Sequence, residues 1–270
     1  MCGICGCDDH QDDMHEHVHE DGTRHRHAHP HEHHHHTHVE LERRVLAKND
    51  ALAQENARWL AERGILAVNL MGSPGCGKTS LLERTIRSQG ARALCVIEGD
   101  QATANDAERI RAAGAPVVQV NTGTGCHLDA TMVARGLEEL APRGGSVVVV
   151  ENVGNLVCPA LFRLGEQRRV VVLSVAEGDD KPVKYPHMFR AAHLVLINKT
   201  DLLPHLDFRL DHAVAGVRSV NPEAQVLQVS ARTGEGMDGW YGWLAAELEG
   251  LRHRGERSFE RPGHPLGLES

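Results

Sequence analysis

Gly72-Ser73-Pro74-Gly75-Cys76-Gly77-Lys78-Thr79 fits the pattern G-x-x-x-x-G-K-[ST]. The apolar run Ile65–Met71 precedes it and reads as a strand; Ser80–Ile86 follows and reads as a helix. Strand, glycine-rich loop and helix in that order are what a phosphate-binding loop requires. The glycines let the backbone curl until successive N–H groups face a phosphate chain. The helix N-terminus adds the positive end of its dipole. Lys78 is placed to reach β- and γ-phosphates, and the Thr79 hydroxyl to ligate Mg²⁺. Gly72 through Ser80 (Ser73, Pro74, Gly75, Cys76 and Gly77 included) are therefore expected to contact nucleotide.

The rest of the chain alternates strand and helix. Candidate strands cover residues 91–97, 116–120, 146–150, 169–175, 193–197 and 225–229. Alternation of this kind predicts an α/β fold, a doubly wound and mainly parallel sheet. Its ligand crevice lies beyond the strand C-termini, where every motif below falls. Aromatics make up only 3% of the 270 residues, so the core must be aliphatic, as suits parallel strands covered on both faces. Residues 39–63 carry apolar positions at helical spacing, with Gly64 as a natural C-cap. The length suits one large domain with an appendage: a metal-binding tail over residues 1–38, a nucleotide-binding domain over 39–250, and a polar tail over 251–270.

Charge and hydropathy exclude several classes. A net charge of −8 argues against a nucleic-acid surface. No apolar run approaches the roughly 20 residues that span a bilayer. The start of the chain has no apolar stretch of the secretory kind, so a cytoplasmic location is expected.

Residues 1–38 hold 13 of the 20 histidines and no apolar periodicity. Such a segment cannot bury a core and is expected to be disordered without metal. His15, His17, His19, His25, His27, His29, His31, His33, His34, His35, His36 and His38 form a tract suited to weak metal binding. Three of the seven cysteines, Cys2, Cys5 and Cys7, precede it, and in a reducing compartment that spacing reads as metal binding. Three thiolates leave one position open. The amine of Cys2, if Met1 is removed, is the expected fourth ligand, with His10 the alternative; a thiolate–nitrogen set suits Ni²⁺ as well as Zn²⁺. Cys76 and Cys95 read as small buried hydrophobes.

Asn198-Lys199-Thr200-Asp201 follows a strand and fits [NT]-K-x-D, the guanine-reading element of GTPases. The Asp201 carboxylate can accept from both N1–H and the 2-amino group of guanine, which adenine cannot offer. Ser230-Ala231, after the last strand, resembles the second guanine-contacting loop. Glu151-Asn152-Val153-Gly154 matches the E-x-x-G that replaces D-x-x-G in one branch of phosphate-loop proteins. Its acid would hold Mg²⁺ through water, and its glycine would sense the γ-phosphate. Asp100 at another strand end could complete the Mg²⁺ shell, orient water, or cap a helix.

Taken together, Cys2-x-x-Cys5-Gly6-Cys7, the His tract, G-S-P-G-C-G-K-T, Gly125–Ala130, E-N-V-G-N-L-V-C-P at 151–159 and N-K-T-D resemble the hydrogenase nickel-incorporation GTPases of the HypB type. The resemblance covers nearly the whole chain. It implies a SIMIBI-class GTPase that uses GTP and Mg²⁺ and dimerises with nucleotide. It implies delivery of Ni²⁺ to the [NiFe]-hydrogenase large subunit precursor, with a HypA-type metallochaperone as partner. It also points to a Ni²⁺ or Zn²⁺ site made of Cys126, His127 and Cys158, thiolate and imidazole being suitable ligands. Lys181 and Lys184 are candidates for a contact across the dimer. A nickel store built on the His tract is a second reading, but it leaves the GTPase motifs unexplained. Service to urease or a cobalamin mutase is a third, and the N-terminal cysteines argue against it.

Overall fold

The structure is a computed structural model. It describes residues 15–18, 24–27, 34–90, 94–100, 105–123, 125 and 127–259. The chain divides into two compact units, Met1–Lys48 and Asn49–Ser270. In the first, β1 (His15–Val18) and β2 (Arg24–His27) pair antiparallel, His15 opposite His27 and His17 opposite His25. The other expected ligands of residues 1–33 lie outside the described residues. Helix α1 (His34–Glu62) begins earlier than the spacing of apolar residues predicts and takes in His34, His35, His36 and His38.

The second unit continues with β3 (Leu66–Gly72), α2 (Lys78–Gln89), β4 (Leu94–Asp100), α3 (Asn105–Ala113), β5 (Val117–Asn121), α4 (Ala130–Leu140), β6 (Val147–Glu151) and α5 (Cys158–Leu161). Then come β7 (Arg168–Ser174), α6 (Lys181–Lys184), α7 (Pro186–Arg190), β8 (Leu194–Asn198), a 3₁₀ turn at Thr200–His205, α8 (Leu210–Val220), β9 (Gln225–Gln228) and α9 (Met237–Phe259). All seven candidate strands of the sequence are present. They form one parallel sheet in the order β5-β4-β6-β3-β7-β8-β9.

Why these segments make a parallel sheet follows from burial on both faces. Leu66, Val68 and Leu70 of β3 join Val96, Val149, Val172 and Leu196 in one core, under α2 and α9. Ala67 turns the other way, with Cys95, Ile97, Val148 and Val150, and meets Leu60 of α1 and Val133 and Leu137 of α4. Farther along, Met71, Val171, Val195 and Ile197 meet Met188, Phe189 and Val217. Side chains alternate along each strand, so a strand covered twice must be apolar throughout. Cys76 and Cys95 lie buried in these cores, as small hydrophobes.

Strand β3 is the pivot. The chain leaves it for β4 and β5, returns to β6 beside it, then builds β7, β8 and β9 on its other side. Reversal at β3 opens a crevice at the strand C-termini. Past Gly250, where composition suggests a loose tail, α9 runs on to Phe259. The physical reason is packing: Leu248 and Leu251 rest against the core, which fixes that helix face beyond the glycine.

Candidate functional site

Strand β3 ends at Gly72, and α2 begins at Lys78 with Gly77 as its N-cap, at φ 102°. A Cβ on Gly77 would run into the Asn198 amide, so glycine is required there twice over. That amide is part of a clamp. Asn198 Nδ2 donates to the Cys76 carbonyl at 3.0 Å, and Lys199 Nζ donates to the Gly75 carbonyl at 2.7 Å. The N-K-T-D segment thus grips the phosphate loop 122 residues away in the chain. Lys78 is 7% exposed and folds back over the loop, its Nζ 3.5 Å from the Ser73 carbonyl. Ser73 Oγ donates to Glu177, which also accepts from Ser174 N.

Glu151 ends β6, paired with Leu70 of β3. It is 3% exposed. Thr79 Oγ1 donates to its Oε1 at 2.7 Å; its Oε2 is buried with no hydrogen-bond partner among the described residues. Burial pushes the carboxyl up to about 7, against the opposing pull of the Lys78 ammonium and the Thr79 hydrogen bond. An orphaned carboxylate oxygen beside a threonine hydroxyl is a donor set that fits a hard, oxygen-seeking dication such as Mg²⁺. Gly154, in the same loop, lies so close to the phosphate loop that a Cβ would sit 2.8 Å from Pro74 Cα. Pro74, Gly75, Lys78, Thr79, Glu151 and Gly154 are among the residues enclosing a cleft of about 410 Å³.

A buried carboxyl raised this far carries a stability signature. Between pH 4.5, its ordinary value, and about 7, the folded chain holds a proton that the unfolded chain releases. Stability of the nucleotide-free, metal-free protein therefore falls as pH rises through that window, by on the order of 3 kcal/mol. Glu151→Gln is expected to flatten that slope and raise the melting temperature at pH 8. Denaturation with EDTA present at pH 5 and pH 8 checks this; equal slopes in the two proteins would refute it.

Asn198, Lys199 and Asp201 continue into a second cleft of about 580 Å³, which shares Gly77, Ser80 and Lys199 with the first. Ser230 Oγ donates to Asp201 Oδ1 at 2.7 Å, and Ala231 N donates to Asn198 Oδ1 at 3.1 Å. Arg232 approaches Asp201 Oδ2 at 3.5 Å but is 81% exposed, so solvent screens that pair. Lys199 stands at φ 65°, a left-handed conformation that a lysine adopts at a cost and that sets the entry to the 3₁₀ turn. Both loops that the sequence assigns to the base therefore border this cleft.

The proposed metal loop is described in part. Cys126 lies outside the described residues, as do the side chain of Asp100, whose backbone ends β4, and the N-terminal cysteines. His127 stacks on Phe162, ring centroids 3.8 Å apart, and Cys158 is buried at the start of α5, four residues before Phe162. Burial holds the His127 imidazole below its ordinary value and so favours the neutral form that binds metals, against the opposing pull of Asp129. Among the described residues no three His, Cys, Asp or Glu side chains gather closely enough to hold an ion. The loop is nonetheless tied to the nucleotide cleft. Leu128 N donates to Asn152 Oδ1 at 3.2 Å, and Leu128 packs on Gly99, where a Cβ would lie 2.7 Å from its Cγ. Lys184 pairs with Asp180, and Lys181 lies over the Tyr185 ring.

Sequence reading misses several contributors to the clefts. Glu98 is 2% exposed and lies opposite Glu151 in the sheet register. Arg109 of α3 bonds Ser80, Glu83 and Asp106 and borders the phosphate cleft. Glu98 stands two residues before Asp100 at a strand end, a signal that could have found it; Arg109 looks like any helix-surface arginine.

No described helix is long and apolar enough to cross a membrane. Residues 66–228 match the nucleotide-binding domain described as CobW/HypB/UreG. The hydrogenase maturation factor HypB of Rhizobium leguminosarum bv. viciae is 58% identical over 206 residues, covering 76% of this chain and 69% of that one. Two solved structures superpose with TM-scores of 0.70. HypB of Archaeoglobus fulgidus is 40% identical, covering 75% of this chain and all of its own. HypB of Helicobacter pylori, solved in complex with nickel, is 34% identical and covers 81% of this chain and all of its own. The chain belongs to the CobW/HypB/UreG family of phosphate-loop proteins, within its hydrogenase maturation factor HypB branch.

Proposed function

We propose that this chain is a GTP-hydrolysing nickel metallochaperone that helps place Ni²⁺ in the [NiFe]-hydrogenase large subunit. The observation that carries the reading is the continuous trough from Asp201 to Glu151, closed by the grip of Asn198 and Lys199 on the phosphate loop. Asp201 accepts from the guanine edge. The loop amides and Lys78 hold the β- and γ-phosphates. Thr79 and Glu151, with Asp100, would hold Mg²⁺, which would supply neutralisation of charge on the phosphate oxygens. The terminal phosphoryl group of GTP passes to water, giving GDP and phosphate. Lys78 balances the charge that gathers on the phosphate oxygens, and Gly154, close against Pro74 of the phosphate loop, would sense the terminal phosphate.

Nickel is the cargo. Cys126, His127 and Cys158 form one site, and Cys2, Cys5 and Cys7 a second, with Zn²⁺ as a competitor at both. The H. pylori relative was solved with nickel, which supports a nickel-binding role for this branch. The partners are a HypA-type metallochaperone, the hydrogenase large subunit precursor and a second copy of this chain in the GTP state.

Asn152 follows Glu151 directly and holds Leu128, and Cys158 lies on the segment that follows Gly154. Nucleotide state and metal affinity should therefore be linked, and the linkage must be reciprocal. Nickel titrations of a chain lacking residues 1–38 are expected to differ by roughly 5- to 150-fold between a GTP analogue and GDP, with the same factor in nucleotide titrations at saturating nickel. Equal affinities in both directions would overturn the coupling.

A further inference from the structure

Arg84 of α2 reaches across to the loop after β9. Its Nε donates to the Ala231 carbonyl and its Nη2 to the Arg232 carbonyl. Among the described residues it pairs with no carboxylate; neighbouring Glu83 is taken by Arg87 and Arg109. The loop closes on itself through Ser230 N to the Glu235 carbonyl, Gly234 N to the Ser230 carbonyl and Thr233 N to Ser230 Oγ. Those bonds leave the carbonyls of 231 and 232 for Arg84. Gly234, at φ 94°, makes room for it: a Cβ there would lie 2.8 Å from Arg84 Nη1.

The same loop supplies Ser230 Oγ to Asp201 and Ala231 N to Asn198. Arg84 therefore sets the frame in which the base-reading carboxylate is oriented, and it does so from the helix that begins at the phosphate loop. It also borders the cleft of about 580 Å³ beside Asp201. A planar guanidinium presents its donors in a rigid fork that suits two successive carbonyls, whereas an ammonium on a flexible stem fixes no such geometry.

We propose that Arg84 is a positioning residue for guanine selection: it locks the Ser230–Arg232 loop so that Asp201 meets the guanine edge. This rests on reading the cleft as a guanine-nucleotide site. The test compares binding of GDP, IDP and ADP, all with Mg²⁺, to the full chain and to Arg84→Met and Arg84→Lys. IDP lacks the 2-amino group, so the GDP:IDP ratio reports the carboxylate's alignment. Arg84→Met keeps the stem and drops the donors; GDP affinity is expected to fall about tenfold and the GDP:IDP and GDP:ADP preferences to shrink, with ADP binding unchanged. Arg84→Lys should fall between.

An unsubstituted chain that prefers guanine, with the ratios intact in Arg84→Met, would overturn the proposal alone. Equal loss for all three nucleotides would overturn it too, since Arg84 would then be scaffold. No guanine preference in the unsubstituted chain would overturn the nucleotide reading and this proposal with it. If Arg84→Met does not fold, Arg84→Lys decides: full ratios refute, reduced ratios support.

Discussion

Replacing Lys78 with alanine is expected to lower GTP turnover by about a thousandfold, with the fold preserved. Phosphoryl transfer needs charge placed where charge gathers, and removing one preorganised donor of that kind commonly costs about 10²–10³ in kcat. The fold should survive because the Lys78 side chain holds little in the resting protein: among the described residues its one hydrogen bond is the 3.5 Å contact with the Ser73 carbonyl. Its loss also removes one of the influences that lower the Glu151 carboxyl, so that group should titrate higher still in the variant. Phosphate release under saturating GTP is the measurement, with nickel binding at the proposed N-terminal cysteine site as the control expected not to change. Turnover near the unsubstituted rate would remove the phosphate-loop assignment.

Asp201→Asn is expected to weaken GTP binding by roughly 10²–10³-fold, because a site built to hydrogen-bond a group rejects a partner that cannot complete the pair. The amide offers one acceptor and a donor where guanine presents two donors. Local structure should hold: Asn Oδ1 can still accept from Ser230 Oγ, and the 3.5 Å contact to Arg232 is too exposed to matter. The change should favour xanthosine triphosphate, whose C2 carbonyl meets the amide donor. Competition between GTP and xanthosine triphosphate measures it; an unchanged ratio would take Asp201 out of base recognition.

Much of this was legible in the sequence, for identifiable reasons. The inner strands of the sheet are covered on both faces, so Val147–Val150 or Leu194–Ile197 must be an unbroken apolar run, and such runs stand out. The phosphate loop, the E-x-x-G segment and N-K-T-D are contiguous, and their chemistry is written in residue order. Less legible were boundaries set by packing or by polar strand ends. Strand β4 runs through Glu98 and Gly99 to Asp100, polar residues that carry it past the apolar run and into the crevice. Helix α9 passes Gly250 because Leu251 finds the core.

Least legible were side chains whose role depends on distant backbone. Arg84 lies on a helix surface and meets carbonyls 147 and 148 residues away. Asn152 looks like filler between Glu151 and Gly154, yet it accepts from Leu128 N and donates to Asn69 Oδ1 inside the sheet. Nothing local in the sequence marks either one, because their partners are groups far along the chain that only the fold brings near.

One trough, from Asp201 to Glu151, is proposed to bind and hydrolyse a guanine nucleotide. Phosphate release by the unsubstituted chain, with Mg²⁺ and GTP and increasing ATP, tests it most directly. GTP turnover is expected to be left untouched by an equal concentration of ATP. Equal competition by ATP, or no phosphate released from GTP, would contradict it.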